Sequence, residues 1–260
     1  MNIYVFVKRV PDTESKIRID HNTNSVIEEG LNFVLSPYDE YAMEEALRLR
    51  EAKGGKVTAV SVGPDETTVI LKKCLAMGAD EAILIKDDSG EQYDGLRVAK
   101  IIAKALETNL QDYNLLLFGK QAVGSDNSQV PSMVAELLAL PQVNVVTKLE
   151  IEGNSAVAHR EIEGATEKIS FALPAIVSAQ KGLNEPRYET LKGIMMAKKK
   201  QIPVVTLQDL GLSDGDLAPQ LEIVKMEGPP PREAGRVIED EPEVAAKKLV
   251  EFLRQEAKVV

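Results

Sequence analysis

Residues 113–138 read YNLLLFGKQAVGSDNSQVPSMVAELL. The run opens on apolar residues too few for a helix, stops at Gly119, crosses a polar loop and enters a stretch with apolar residues at helical spacing. An all-apolar strand leading through a loop into a helix is the unit of a parallel sheet covered on both faces, because each face of the strand must then be buried. The helix is expected over residues 128–140. Pro131 falls in its first turn, and Ser125, Asp126, Asn127 and Ser128 are capping-type residues before it.

The same unit recurs upstream. IYVFV (3–7), VTAVSVG (57–63) and EAILIK (81–86) read as buried strands, and YNLLLFG (113–119) is the fourth. Helices are expected over 38–52, 65–77 and 95–108. The first has Ser36-Pro37 as N-cap and N1 residue, Ala42, Ala46, Leu47 and Leu49 near one face, and Gly54-Gly55 as its stop, while Gly78 stops the second. Downstream the pattern changes to alternation. Residues 143–151, 155–163 and 166–173, with turns at EGN and EGA, read as antiparallel strands. PAIVSAQ (174–180) is another buried strand, and IPVVTL (202–207) adds a short one. After Gly211 the chain turns polar, passes GPPP (228–231) and ends in a charged helix over 242–257, whose core-grade residues are Val244, Leu249, Val250 and Leu253. A proline spacer before such a helix reads as an arm, with a helix packed on the parent domain as the alternative. The fold class expected is α/β: a doubly wound, mainly parallel, Rossmann-like sheet, with an antiparallel hairpin region and a C-terminal arm. Residues 1–212 form the main domain and 213–260 the extension.

Composition removes several functions. Net charge is -10 and aromatics are 4% of the 260 residues, which argues against nucleic-acid binding and base-stacking platforms. Cys74 is the one cysteine, so no internal disulfide is expected, and a helical Cys74 reads as a small buried hydrophobe. With His21 and His159 far apart, no metal site is expected. No apolar run approaches the ~18 residues that span a bilayer. The N-terminus MNIYVFVKRV lacks the pattern of a signal peptide, and a cytoplasmic protein is expected, or a mitochondrial-matrix one in a eukaryote.

Ligands of such sheets bind beyond the carboxyl ends of the strands. There the loop after Gly119, including Gln121, Ala122 and Ser125 to Ser128, leads into Gln129, Val130, Pro131, Ser132, Met133 and Val134. A small-residue loop opening a helix favours phosphate through free backbone N–H groups and the helix dipole, although it is equally the form of an ordinary capped loop. It carries neither a Walker pattern nor GxGxxG. The other loops on this edge are VKRVPDT (7–13), with Val7, Pro11, Asp12 and Thr13; LSPYDE (35–40), with Ser36, Pro37 and Tyr38; and SVGP (61–64), with Ser61, Val62 and Gly63. Phe6, Tyr38 and Val62 can flank a planar ring or pack in the core. No catalytic triad or spaced carboxylate pair is present, so these residues suit holding a nucleotide better than breaking bonds.

VKRVPDT with KIRID, SPYDEYAMEEALRL, VSVGP, CLAMGAD, LLLFGKQA with SDNSQV, and above all LNEPRYETLKGIMMAKKK (183–200) resemble the beta subunit of electron transfer flavoprotein, from Ile3 to about Leu212. The resemblance implies an adenine-nucleotide-binding fold, pairing with an alpha subunit that carries FAD and is embraced by the C-terminal helix, and a nucleotide, either AMP or a second FAD, in this chain. It implies electron shuttling between dehydrogenases, of acyl-CoA or other flavin type, and an acceptor, with no direct membrane insertion. It makes residues 182–200 a recognition loop with Leu191 as anchor and Ile194, Met195, Met196, Lys198, Lys199 and Lys200 around it. An adaptable apolar tip with a basic fringe suits docking on an acidic surface.

By position in the family pattern, Phe6 and Val7 border the adenine side, Pro11 to Thr13 the flavin side, Ser36 to Tyr38 the sugar or base, and Asp126 to Val134 the phosphates. AMP-type members resemble D-x-x-N-Q-T-G in this loop. Here Ser128 replaces the Asn, Val130 the Thr and Pro131 the Gly. The run QV and the smaller Thr13 look more like two-FAD members that split the electron pair of NADH, with NAD(H) as a transient substrate, although Gly124 and Pro131 depart from that loop too. A universal-stress-like nucleotide-binding regulator is the alternative of another class. It has no need of the LNEPRY segment or the tail.

Overall fold

A computed structural model describes residues 1–89, 94–213, 215–230 and 235–260. Its strands are β1 (Asn2–Phe6), β2 (Arg9–Pro11), β3 (Ile19–Asp20), β4 (Ser25–Val26), β5 (Phe33–Leu35), β6 (Lys56–Gly63), β7 (Glu81–Lys86), β8 (Leu115–Gly119), β9 (Gln142–Glu152), β10 (Ser155–Ile162), β11 (Ala165–Ala172), β12 (Ala175–Ala179) and β13 (Val204–Thr206). The helices are α1 (Pro37–Lys53), α2 (Thr68–Met77, entered through a 3-10 turn over Asp65–Thr67), α3 (Gly95–Thr108), α4 (Val130–Leu137), α5 (Leu191–Lys199) and α6 (Pro242–Gln255).

Nine strands form one sheet in the order β11-β10-β9-β12-β8-β1-β6-β7-β13. β9, β12, β8, β1, β6, β7 and β13 pair in parallel, and β10 and β11 extend the β9 edge antiparallel. The expected doubly wound α/β sheet is therefore present. In β8 the apolar run resolves into two faces. Leu115 and Leu117 join one buried cluster with Ala42, Met43 and Leu47 of α1 and Leu71 and Cys74 of α2. Leu116 and Phe118 join the other with Ile101, Ile102 and Leu106 of α3 and Val134 of α4. Every β8 side chain is buried, which is why the segment shows no polar alternation. Cys74 is buried as expected, and burial pushes its thiol pKa up.

Chain order places a switch point in this sheet. From β1 the chain moves one way to β6 and β7, with α1 and α2 on one face, then returns across β1 to β8 through α3 on the other face. Strands β1 and β8 are neighbours whose connections leave in opposite directions, and the crevice of such a fold opens at that point.

Two elements differ from the sequence reading. Helix α4 starts at Val130 rather than 128, because Ser128 holds a left-handed φ of 51° that a helix cannot contain. Residues 191–199, inside the expected recognition loop, form a helix, α5, with the Thr190 hydroxyl accepting from Gly193 N at 3.0 Å. The described chain divides into Met1–Met226 and Glu227–Val260. Residues 213–226 belong to the first unit, where Leu217 is buried and Arg97 Nη1 donates to its carbonyl at 2.8 Å. In the second unit α6 has no buried residue, and Arg236 pairs with Glu256 at 3.1 Å and lies over Phe252. Pro231 of GPPP lies outside the described residues.

Candidate nucleotide site and docking segment

The register between β1 and β8 ends at the pair Phe6–Phe118. Beyond it the strands part. Val7 N donates to Val60 O in β6 at 2.9 Å, and Lys120 N to Ala179 O in β12 at 2.9 Å. Into this gap the first turn of α1 sends Asp39. One carboxylate oxygen accepts from Lys8 N at 2.7 Å and the other from Gly119 N at 3.0 Å. Gly119 permits the approach: a Cβ there would lie 2.4 Å from Asp39 Oδ1 and 2.7 Å from the Tyr38 carbonyl carbon. Burial pushes the Asp39 carboxyl up to about 7, against the two backbone donors and the Lys8 charge, which favour the ionised form.

Ser36 stands beside this clip as N-cap of α1. Its N–H donates to Lys8 O at 3.0 Å, and its hydroxyl is fully buried with no hydrogen-bond partner among the described residues. Pro37 occupies the first helical position, and the Tyr38 ring lies under Lys120 Nζ at 4.9 Å. Val7 is buried, and its carbonyl accepts from the Ser61 hydroxyl at 2.6 Å, so Ser61 is used internally. Phe6 stacks on Phe118 at 4.7 Å in the core, and Val62 packs against the same cluster. The Phe6 side chain is thus a core group, and the crevice meets its backbone. Gly63 ends β6 with Thr67 Oγ1 where its Cβ would stand.

Pro11 to Thr13 lie one ribbon away, because β2 turns aside to pair with β5 and Arg9 covers Phe33. Asp12 fixes that turn through Glu14 N and Asn32 Nδ2, and Thr13 is exposed.

The loop from β8 to α4 is built on itself. Gln121 donates to Asp126 Oδ1 at 2.6 Å and accepts from the Ser128 hydroxyl at 2.8 Å, while Ala122 O accepts from Asp126 N and from Ser125. Asn127 Oδ1 accepts from Gln129 N at 3.4 Å. Gly124, Asp126 and Ser128 all have positive φ, the kind of backbone from which anion-binding concavities are built. In α4, Val134 and Pro131 are buried, Val130 and Met133 pack on the core, and Ser132 accepts from Asn144. What this edge offers a ligand is therefore backbone N–H, the Ser36 hydroxyl and the exposed 124–129 loop. Among the described residues, no group of three His, Cys, Asp or Glu side chains is placed to hold a metal, and no helix is long and apolar enough to cross a membrane.

LNEPRY is a latch on α1. Asn184 Nδ2 donates to Tyr41 O and Glu45 Oε2, each at 3.0 Å. Arg187 donates to both oxygens of Glu44, at 2.8 and 3.1 Å, and to Glu51. Burial raises the Glu44 pKa, but Arg187 and Arg48 outweigh it and hold the carboxyl below its usual range. α5 then packs on α2 so closely that a Cβ at Gly193 would lie 2.2 Å from Ala76 O. Leu191, Met195, Met196, Lys198 and Lys199 point outward, with Leu191 83% exposed. Ile194 packs inward on the core, and Lys200 Nζ is tied to Asp80 O at 2.7 Å, so neither shares that exposed face. Asp39 carries no sequence-level assignment, Gly119 reads from sequence only as a strand stop, and Asn184 and Arg187 only as part of the LNEPRY motif. The signal available for Gly119 was a glycine ending a buried strand opposite a helix start.

Residues 23–210 match the electron transfer flavoprotein domain. The chain is 43% identical over its whole length to the electron transfer flavoprotein subunit beta of Bacillus subtilis (strain 168), covering all of that protein. It is 39% identical to the subunit beta of Thermoanaerobacterium thermosaccharolyticum over 97% of this chain and 98% of that one. To the human subunit beta it is 40% identical over 95% of this chain and 96% of that one. With the crevice at the switch point, the latched α5 segment and this similarity along its length, the chain belongs to the electron transfer flavoprotein family, among its beta subunits.

Proposed function

We propose that this chain pairs with an electron transfer flavoprotein alpha subunit and holds a second FAD in the crevice between β1 and β8. The observation that carries the nucleotide reading is the switch-point edge itself: a fully buried Ser36 hydroxyl without a hydrogen-bond partner among the described residues, beside a loop of positive-φ residues opening α4. The choice of FAD over AMP rests on Val130 and Pro131. Both are turned to the core, and proline has no N–H, so neither supplies the hydroxyl and amide that a terminal phosphate would take from Thr and Gly. Thr13, one ribbon away, is exposed and carries no bulky aromatic ring.

In this reading the free backbone N–H groups of the 125–130 loop and that of Ser132 hold the phosphates, Ser36 and Tyr38 the sugar or base, and Lys120 the facing charge. A flavin bound there supplies two-electron exchange with NADH and one-electron exchange with other centres, which electron bifurcation requires. The exposed tip of α5 docks an acyl-CoA or other flavin dehydrogenase, with Leu191 as anchor, Met195 and Met196 as adaptable contact area, and Lys198 and Lys199 steering toward acidic surface. The part of the extension that forms the second unit, Glu227–Val260 with α6, embraces the alpha subunit.

The test is co-expression with the alpha partner, acid release of cofactors from the purified dimer, and quantification of FAD and AMP. Two FAD without AMP is expected. One FAD with one AMP would make this a single-flavin shuttle with structural AMP, and no nucleotide from this chain would remove the crevice reading.

A further inference from the structure

We propose that Asp39 is a positioning residue of the nucleotide crevice: its carboxylate sets the spacing between the β1 loop and the end of β8 by taking one backbone N–H from each. The inference rests on the nucleotide reading of that crevice. Sheet hydrogen bonding between β1 and β8 stops at Phe6–Phe118, and Lys8 N and Gly119 N lie just beyond it. Each would be a donor without a ladder partner at the point where the strands part. Asp39 alone spans them, at 2.7 and 3.0 Å, and replaces the missing rung of the ladder.

The carboxylate is buried, with Asp39 only 6% exposed, and its bond to Gly119 N lies fully inside. Gly119 has no space for any side chain against the carboxylate. The first turn of α1, otherwise the place for a side-chain cap, gives its acidic group to the neighbouring strands instead, and Ser36 makes no cap bond. The crevice walls are thus the same two segments that the carboxylate ties.

The ionised form is the one that accepts at both oxygens. A protonated carboxyl turns an O–H toward one of two N–H donors, and one rung is lost. The charged and titratable groups that act on Asp39 are Lys8 of the β1 loop, which favours ionisation, and Glu40 of α1, which opposes it. The Cys74 thiol, on α2, also feels the Asp39 charge, and Lys73 of α2 is paired to Glu40. Because burial dominates and pushes the carboxyl up to about 7, the ionised form, and with it the two-armed clip, gains as pH rises toward the alkaline side.

The experiment is equilibrium dialysis of the purified complex with its alpha partner against FAD and, separately, AMP, at about pH 6 and about pH 8, for the wild type and Asp39→Asn. Loss of one hydrogen bond to a charged group corresponds to roughly a tenfold change in affinity. The wild type should therefore bind about tenfold more tightly on the alkaline side. Asp39→Asn, whose amide also presents a donor to a donor, should bind at the weaker level at both values. A variant that matches the wild type at both values overturns the proposal. If Asp39→Asn does not fold, Asp39→Glu, which keeps the charge but displaces the carboxylate, takes its place, and wild-type affinity in that variant overturns the proposal. Binding of neither nucleotide at the beta site of the wild type would overturn the crevice reading itself, and this inference with it.

Discussion

The crevice and the docking segment both hang on α1, and they hang on it differently. At the first turn Asp39 is buried and its partners are backbone N–H groups of two strand ends. Further along, Glu44, Glu45 and Glu51 take side chains, Asn184 and Arg187, in a network that stays partly exposed. On the proposed reading the crevice needs fixed main-chain donors for a small ligand, which suits a geometry set by backbone and close glycine contacts. A docking role for the α5 segment would need a free apolar tip, which suits support placed to one side, on α1, with Leu191, Met195 and Met196 left in solvent.

Substitutions at the tight glycines should separate the two regions most strongly. Gly119→Ala forces a Cβ within 2.4 Å of the Asp39 carboxylate and should cost about 3 kcal/mol in urea unfolding, with the nucleotide lost from the purified complex. Gly124→Ala in the same loop meets nothing within 4 Å and should cost only the strain of its left-handed φ, about 1 kcal/mol. Gly193→Ala, 2.2 Å from Ala76 O, should cost about 2 kcal/mol and weaken dehydrogenase binding while the nucleotide content is unchanged. Loss of nucleotide in that variant would show that the two regions are not separable.

Arg187→Ala should cost about 1–2 kcal/mol near neutrality, less than a fully buried pair because the Arg187 side chain is one third exposed. The pH dependence has a definite sign. Glu44 is held below its usual range despite burial, and hydrogen bonding to Arg187 holds Glu51 below its own. Their stabilisation is present above the ordinary carboxylate range of about 4.5 and is lost as pH falls through the lowered folded values. Wild type and Arg187→Ala should therefore converge in acid denaturation, and a constant gap would assign the effect to packing of the arginine stem.

The smallest structural effect is expected at the tip. Leu191→Ala should change stability by less than about 0.5 kcal/mol. It should weaken binding of the partner dehydrogenase roughly tenfold, as loss of an interface anchor does. Unchanged binding, measured by surface plasmon resonance, would move the docking face elsewhere.

Much of the frame could be read from residue order. Period and glycine stops gave the four leading strands and their helices, because a strand buried on both faces or a helix with one apolar side writes its environment into every residue. Ser36 as N-cap, Cys74 as core and the antiparallel strands after 142 follow from the same logic. Strands β2 to β5 did not show, since elements of two or three residues carry no period. Helix α5 was hidden because Gly193 interrupts a nine-residue helix that is held by packing on α2 rather than by its own propensity. Phe6 illustrates the limit at a single residue. Its place at a strand end was legible, but whether its ring faces a ligand or Phe118 depends on the neighbour strand.

The sequence by itself determined the doubly wound α/β order, the sheet edge at which folds of this kind bind ligands and the family pattern around LNEPRY. Only the tertiary structure decided that Asp39 closes the gap between β1 and β8, that Asn184 and Arg187 latch onto α1, and that Ile194 and Lys200 turn away from the exposed tip. The physical reason is sequence distance. Period and capping are set by residues within a turn or two of one another, whereas a carboxylate reaching an N–H 80 residues away is fixed only once the sheet has brought the two together.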